Sequence, residues 1–279
     1  MKTFKGKAIY QPAGKAKEYA EWACNFYVGC SNGCDYCYLK KGRGAAILGG
    51  NVPTLKKCFK DEVHALEVFE MELKANLPEL QKHGLFFSFS TDPMLPETIA
   101  MTYQALVVCS KFKIPVKILT KVEKFIDLKI FEIDGNKGCS IFDLPNNAKC
   151  NIAFGFTLTG HDELEPGAST NQERIEAMKK LHDAGFKTFA SIEPVIDFKS
   201  SIEMIVRTAG ICDLLKIGLE SGKKYDKNEL FNFMNAVIFI ARRTRKVYFK
   251  DSLLKAAWIE RSELPANCVN RDYNIFKEL

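Results

Sequence analysis

The sequence predicts an α/β fold in which parallel strands alternate with helices around an open or incomplete barrel. Short apolar runs recur along the chain, and segments with helical apolar spacing lie between them. From the second run onward the starts lie roughly thirty residues apart, the size of a strand–helix–strand unit. Polar residues gather just behind the apolar runs, where a sheet of this kind carries its site.

The candidate strands are 25–28, 85–89, 116–119, 152–158, 188–192, 214–219 and 247–249. Most are continuously apolar, as strands buried on both faces are. Helical crossovers of this length join parallel strands. A closed barrel takes eight strands, so the seven runs predict an incomplete one. The first helix carries Val63, Leu66, Phe69 and Leu73 behind Asp61. A later one carries Ile175, Met178 and Leu181, with Thr170 and Glu173 as a capping box and Gly185 at its end. Another starts near Asp226 and carries Leu230, Phe233, Val237 and Ile240.

The length of 279 residues fits one large domain with short extensions. The expected organisation is an N-terminal extension over 1–24, a barrel over 25–221, and a C-terminal helix and strand over 222–279 that completes or caps it. With 47% apolar and 27% charged residues the chain is not disordered. No window approaches ~18 unbroken apolar residues, so no membrane span or membrane partner is expected. The basic start of the chain has no apolar core behind it, which predicts no secretory signal and a cytoplasmic protein. A net charge of +6 permits a polyanionic partner without demanding one. The four histidines are isolated and share no metal-ligand spacing.

Ten cysteines stand out, and four of them, Cys24, Cys30, Cys34 and Cys37, fall within fourteen residues. Without a secretory signal they point away from a disulfide framework. Cys30, Cys34 and Cys37 have the spacing C-x3-C-x2-C, with Asn32 and Gly33 allowing a tight turn and Tyr36 between the last two. Three thiolates hold three irons of a cubane cluster and leave the fourth iron open to a small molecule. The competing reading is structural zinc with Cys24 as fourth ligand, in a non-catalytic nucleic-acid-binding protein whose footprint is the basic stretches 40–43 and 242–246.

This motif after a first strand resembles the signature of the radical S-adenosylmethionine (radical SAM) superfamily. The lead-in Asn25-Phe26-Tyr27-Val28-Gly29-Cys30 is similar to that of the spore photoproduct lyase-like, or DNA repair photolyase-like, branch. So are Ser90-Thr91-Asp92-Pro93 with Pro96-Glu97, and Ile118-Leu119-Thr120-Lys121. Phe156-Thr157-Leu158-Thr159, Glu165-Pro166-Gly167-Ala168 and Arg174 complete the likeness, which covers about 25–200. Val122 stands where that branch usually has Ser, no second cysteine cluster is present, and the chain beyond about 200 matches nothing in the pattern.

The resemblance implies a partial (β/α)6 radical SAM barrel with short N- and C-terminal extensions. It implies one [4Fe-4S] cluster on Cys30, Cys34 and Cys37, with S-adenosylmethionine (SAM) on the open iron. One electron cleaves SAM to methionine and a 5′-deoxyadenosyl radical, which abstracts hydrogen from a substrate. The implied cofactor-binding residues are Tyr36 near the adenine, Ser90, Thr91 and Asp92 near the methionyl amino group, and Thr157, Ser191 and Glu193 near ribose or substrate. Thr159 is an alternative to Thr157. An electron donor such as flavodoxin or ferredoxin is implied. The substrate is open between a nucleic-acid base or lesion and a peptide or small metabolite. Cys139, Cys150 and Cys268 are candidate hydrogen-donating thiols. Lys121 and Lys216 lie at or inside apolar strands; for Lys216 the outward, snorkelling orientation is favoured.

Overall fold

The computed structural model describes residues 3–277 apart from 43, 134, 243 and 244. The chain opens with β1 (Ile9–Tyr10), β2 (Ala23–Cys24), β3 (Tyr27–Val28), α1 (Ala45–Leu48) and β4 (Thr54–Leu55). It continues with α2 (Glu62–Ala75), α3 (Leu77–His83), β5 (Leu85–Phe87), α4 (Ile99–Lys111) and β6 (Val116–Thr120). Then come β7 (Phe131–Ile133), β8 (Asn136–Cys139), α5 (Asn146–Lys149), β9 (Ile152–Thr157), α6 (Asn171–Asp183) and β10 (Lys187–Val195). The last elements are α7 (Phe198–Thr208), β11 (Leu214–Leu219), α8 (Lys227–Ala241), β12 (Lys246–Phe249) and α9 (Asp251–Ala257).

Eight strands form one sheet in the order β1-β2-β5-β6-β9-β10-β11-β12. All neighbours from β2 to β12 run parallel, and β1 is an antiparallel edge. Among the described residues the two edges do not pair, so the barrel is open, as the seven parallel strands predict. Alternation along each strand sorts the side chains. On β9, Phe154 and Phe156 point outward, stacking with Phe125, and Phe154 also meets Phe186 under α6. On the concave face Ala23, Phe86, Ala153, Phe189, Leu214 and Tyr248 form a second apolar cluster.

That inner cluster is completed by both chain ends. Tyr10, Tyr19 and Ala20 enter from one side, and Val269, Tyr273, Ile275 and Phe276 from the other. A bridge between Val247 and Cys268 fixes the C-terminal segment along the base of β12. The extensions therefore fill the barrel that the parallel strands leave hollow.

The first predicted strand needs correction. The parallel strand is Ala23–Cys24, whereas Tyr27–Val28 pairs antiparallel with Thr54–Leu55 in a separate ribbon. Asn25 causes the exit. Its carbonyl oxygen accepts from the Phe89 backbone N–H at 2.9 Å, and its amide donates to Tyr10 Oη at 2.8 Å. The second predicted strand ends early at Phe87, because Ser88 Oγ turns back to donate to the Thr91 carbonyl at 2.7 Å. The expected capping box of α6 is present. None of the described helices is long and apolar enough to cross a membrane.

Candidate active site at the mouth of the barrel

The cysteine loop leaves β3 at the C-terminal end of the sheet and is clamped from two sides. On one side Cys30 N–H donates to the Gly50 carbonyl at 2.9 Å. On the other, Gly167 N–H donates to the Asn32 carbonyl, and Asp35 N–H to the Leu164 carbonyl, both at 3.0 Å. The loop needs glycine at two places. Gly33 has a φ of 70°, in the left-handed region. Any Cβ on Gly167 would run into the Ser31 carbonyl oxygen, so only glycine lets the α6 lead-in come this close. Cys34 is buried, and Cys30 and Cys37 are partly exposed toward the mouth. Burial, reinforced by the Asp92 carboxylate, pushes the Cys30 thiol up to about 11. Burial raises the Cys34 thiol as well.

Asp92 anchors this loop to the sheet. Its Oδ2 accepts from the Asn32 side-chain amide at 2.9 Å and from Lys121 N–H at 2.8 Å. Its Oδ1 accepts from Thr120 Oγ1 at 2.7 Å and from Met94 N–H at 3.0 Å. Ser90 Oγ donates to the Tyr27 carbonyl at 2.5 Å. Two buried polar atoms beside this hub have no partner among the described residues, Asn32 Oδ1 and Thr91 Oγ1.

Behind the loop lies a buried charge chain. Tyr36 Oη donates to Glu165, which pairs with the fully buried Arg174. Arg174 also donates to the Thr157 carbonyl at 2.5 Å. The Lys121 ammonium sits 5.5 Å from the centre of the Tyr36 ring. Burial lowers the proton affinity of Lys121, but Cys34 and the carboxylates of Glu165 and Asp92 outweigh it, so the group is held protonated. Lys121 thus faces the mouth and adds positive charge beside the thiols.

Across the mouth, Tyr19 Oη lies 2.6 Å from Ser191 Oγ and donates to Glu193 Oε2 at 2.6 Å. Glu193 Oε1 accepts from the buried Lys250 ammonium at 2.7 Å. Lys216 corrects its favoured outward reading. Leu215 and Ile217 point outward into the main core, so the strand's alternation turns Lys216 inward. Its ammonium lies 4.3 Å from the Tyr19 ring centre and donates to the Glu18 carbonyl at 3.2 Å.

The structure therefore gathers Cys30, Cys34, Cys37, Tyr36, Ser90, Thr91 and Asp92 at the β2–β6 side of the mouth, and Ser191 and Glu193 at the β10 side, with Thr157 between them. Thr159 Oγ1 instead meets the His161 backbone. Cys150 precedes β9 and Cys268 lies beside the second residue of β12, both toward the N-terminal ends of the strands. Cys139 sits on the β7–β8 hairpin. Tyr19, Lys250 and Asn32 were not singled out from the sequence as binding residues. Of the basic stretches, Arg43, Arg243 and Thr244 lie outside the described residues. Arg245 donates to the Ala209 and Gly210 carbonyls behind α7, a structural cap.

The donor set fits the implied cofactors. Three thiols share one loop held rigid at both ends, with a retained cation beside them. The orphaned Asn32 Oδ1 and Thr91 Oγ1 offer unsatisfied acceptor capacity where an ammonium is expected. Cys24 does not belong to this set. It is fully buried on the outward face of β2, where Cys109 and Glu72 act on it. Among the described residues no three His, Cys, Asp or Glu side chains are placed to hold a single metal ion.

Known proteins share this architecture. Spore photoproduct lyase, solved with a dinucleoside spore photoproduct, superposes with a TM-score of 0.53 at 16% identity, over 84% of this chain and 64% of that one. SuiB of Streptococcus suis, solved with S-adenosylmethionine, gives 0.53 at 15% identity, over 84% of this chain and 51% of that one. The fold is that of the radical SAM enzymes. An uncharacterized protein of Methanocaldococcus jannaschii is 24% identical over 201 residues, 67% of this chain and 65% of its own length. The chain thus spans less than two thirds of each of these proteins. No family model matches it. The partial radical SAM barrel expected from the sequence is the one the structure has, and its strand C-termini carry the polar cluster.

Proposed function

We propose that the chain is a radical SAM enzyme with one [4Fe-4S] cluster, acting on a nucleic-acid base or lesion. The observation that carries the chemistry is the clamped three-cysteine loop at the mouth of the barrel, with two buried polar atoms beside it that have no partner among the described residues, Asn32 Oδ1 of the loop itself and Thr91 Oγ1. Cys30, Cys34 and Cys37 would hold the cluster. Thr91, Asp92 and Asn32 would meet the amino group of SAM, and Ser191 and Glu193 its ribose or the substrate. Bound together, the two cofactors supply reductive cleavage of SAM and hydrogen abstraction, chemistry no side chain provides unaided. The chain's own residues orient and shield. Asp92 fixes the loop, Lys121 offsets negative charge at the thiolates, and Lys250 pairs with Glu193 and orients it. An external one-electron donor is required.

The substrate reading rests on a groove of about 430 Å³ at the C-terminal end of β11, between α9 and the N-terminal segment. Lys15, Lys223 and Lys224 line it against one carboxylate, Glu220. Grooves outside the carboxyl ends of parallel strands are where such sheets bind ligands, and this one favours a phosphate-bearing molecule.

Two experiments test these readings. Anaerobically reconstituted protein with dithionite should convert SAM to 5′-deoxyadenosine and methionine; no conversion with intact cluster present contradicts the enzymatic proposal. Affinity for a single-stranded oligonucleotide should fall steeply with salt. Binding that is absent or flat with salt points to a peptide or small metabolite instead.

A further inference from the structure

Beneath the Tyr19–Glu193 contact, toward the floor of the barrel, lies a second cluster of charge. Lys117 on β6 and Lys216 on β11 both point inward, because Val116, Ile118, Leu215 and Ile217 take the outward positions. Both line a cavity of about 20 Å³, enough for a single water-sized occupant. Its apolar lining is Phe86, Phe189 and Leu214 from the sheet, and Val269 and Ile275 from the C-terminal segment that closes the floor, with Tyr19 and Tyr248 beside them. Arg271 stands at its edge with Asn270 and Tyr273.

The charges here do not balance. Three basic side chains line the cavity against one carboxylate, Glu18. Burial, with repulsion from Lys117 and Lys250, holds the Lys216 amino group well below its usual value in spite of Glu193 and Glu18. Glu18 is already engaged, with Oε2 accepting from Tyr248 Oη at 2.8 Å and from Asp251 N–H at 2.9 Å. Lys216 donates to two backbone carbonyls and lies over the rings of Tyr19 and Tyr248. The Lys117 ammonium makes no hydrogen bond or ion pair among the described residues; Glu21 acts on it only through space. An amino group in apolar surroundings must either lose its proton or gain a counter-charge. Burial brings Lys117 down to about 8, so it still carries its proton at neutral pH.

We propose that this cavity binds one small inorganic anion of chloride size, held between the amino groups of Lys117 and Lys216. The volume limits the occupant to a halide-sized ion and leaves no room for a nucleotide. Bound there, the anion ties β6 and β11 to the C-terminal segment from inside the barrel. The cysteine loop takes no part in the site, and chloride binding is read without SAM, although the cavity shares Tyr19 with the Ser191–Glu193 cluster.

The test uses the full chain at fixed ionic strength, with sodium chloride replacing sodium gluconate. The thermal unfolding midpoint should rise with chloride and saturate, because a ligand that binds only the folded state stabilises it. Lys117→Met should weaken the apparent chloride affinity at least tenfold. Lys255→Met, on the exposed side of α9, should leave it unchanged. Equal midpoints in the two salts, or a saturable response retained in Lys117→Met, would overturn the proposal. Should Lys117→Met fail to fold, crystals of the unaltered protein grown with bromide decide the matter. An anomalous peak between Lys117 and Lys216 supports the site, and its absence refutes it.

Discussion

The Asn32 side-chain amide donates to Asp92 Oδ2 across 2.9 Å, tying the cysteine loop to the loop behind β5. Asp92 accepts from four donors in all. Replacing it by Ala strands the buried N–H groups of Met94 and Lys121. Each stranded donor costs about 1–3 kcal/mol, so Asp92→Ala should lose about 3 kcal/mol or more in urea unfolding of the metal-free chain. A loss below about 1 kcal/mol would show that the carboxylate does not hold the loop.

Arg174 and Glu165 form a fully buried pair. Removing one partner leaves a lone charge, at about 3–5 kcal/mol, whereas removing both is far milder. Arg174→Met should therefore destabilise strongly, and adding Glu165→Leu should recover much of the loss. Urea unfolding of the two single variants and the double variant checks this. A double variant as unstable as the sum of the singles would contradict the pairing.

His161 lies 2.5 Å from Asp197 and 2.7 Å from Glu163, joining the loop after β9 to the start of α7. The Asp197 contact is the main cause raising the imidazole above its usual 6.5. Burial opposes the lowering of Asp197, but bonds from Ser200 and His161 bring it to about 2. A raised His contributes stability that is full below its unfolded value and fades as pH rises through its folded one. A depressed Asp contributes above its unfolded value and loses it as pH falls toward about 2. The gap in thermal midpoint between the wild-type chain and His161→Gln should thus be widest near pH 5–6 and shrink toward pH 9. A gap that stays flat over that range would remove the ion pair from the account.

Much of the fold was legible because buried parallel strands read as apolar runs. β9 is buried along all six residues, and β11 nearly so. The first strand was misplaced because Ala23–Cys24 is only two residues long and the apolar Phe26-Tyr27-Val28 stands next to it. The β7–β8 hairpin was missed because its strands are only three and four residues long and alternation is confined to Phe131-Glu132-Ile133. At the site, the cysteine spacing announced itself locally. Lys216 was also readable, since Leu215 and Ile217 on either side claim the core. Tyr19 was not: it meets Glu193 across 174 positions, and only the entry of the N-terminal segment into the curved sheet brings them together.

Glu193 is proposed to contact SAM or substrate, and the Lys250 ammonium pairs with it at 2.7 Å. Glu193→Gln should lower 5′-deoxyadenosine formation about tenfold, roughly 1.4 kcal/mol of transition-state stabilisation. Iron content should be unchanged. A variant with normal turnover would assign Glu193 to holding Tyr19 alone.

The central claim is that Cys30, Cys34 and Cys37 hold a cubane cluster. Iron and sulfide analysis after oxygen-free reconstitution tests it most directly, on the wild-type chain beside Cys34→Ala and Cys24→Ser. The account predicts about four irons and four sulfides per wild-type chain, the same in Cys24→Ser, and loss of both in Cys34→Ala. Wild-type protein that carries zinc, takes up no iron or sulfide, and loses its metal in Cys24→Ser would contradict it.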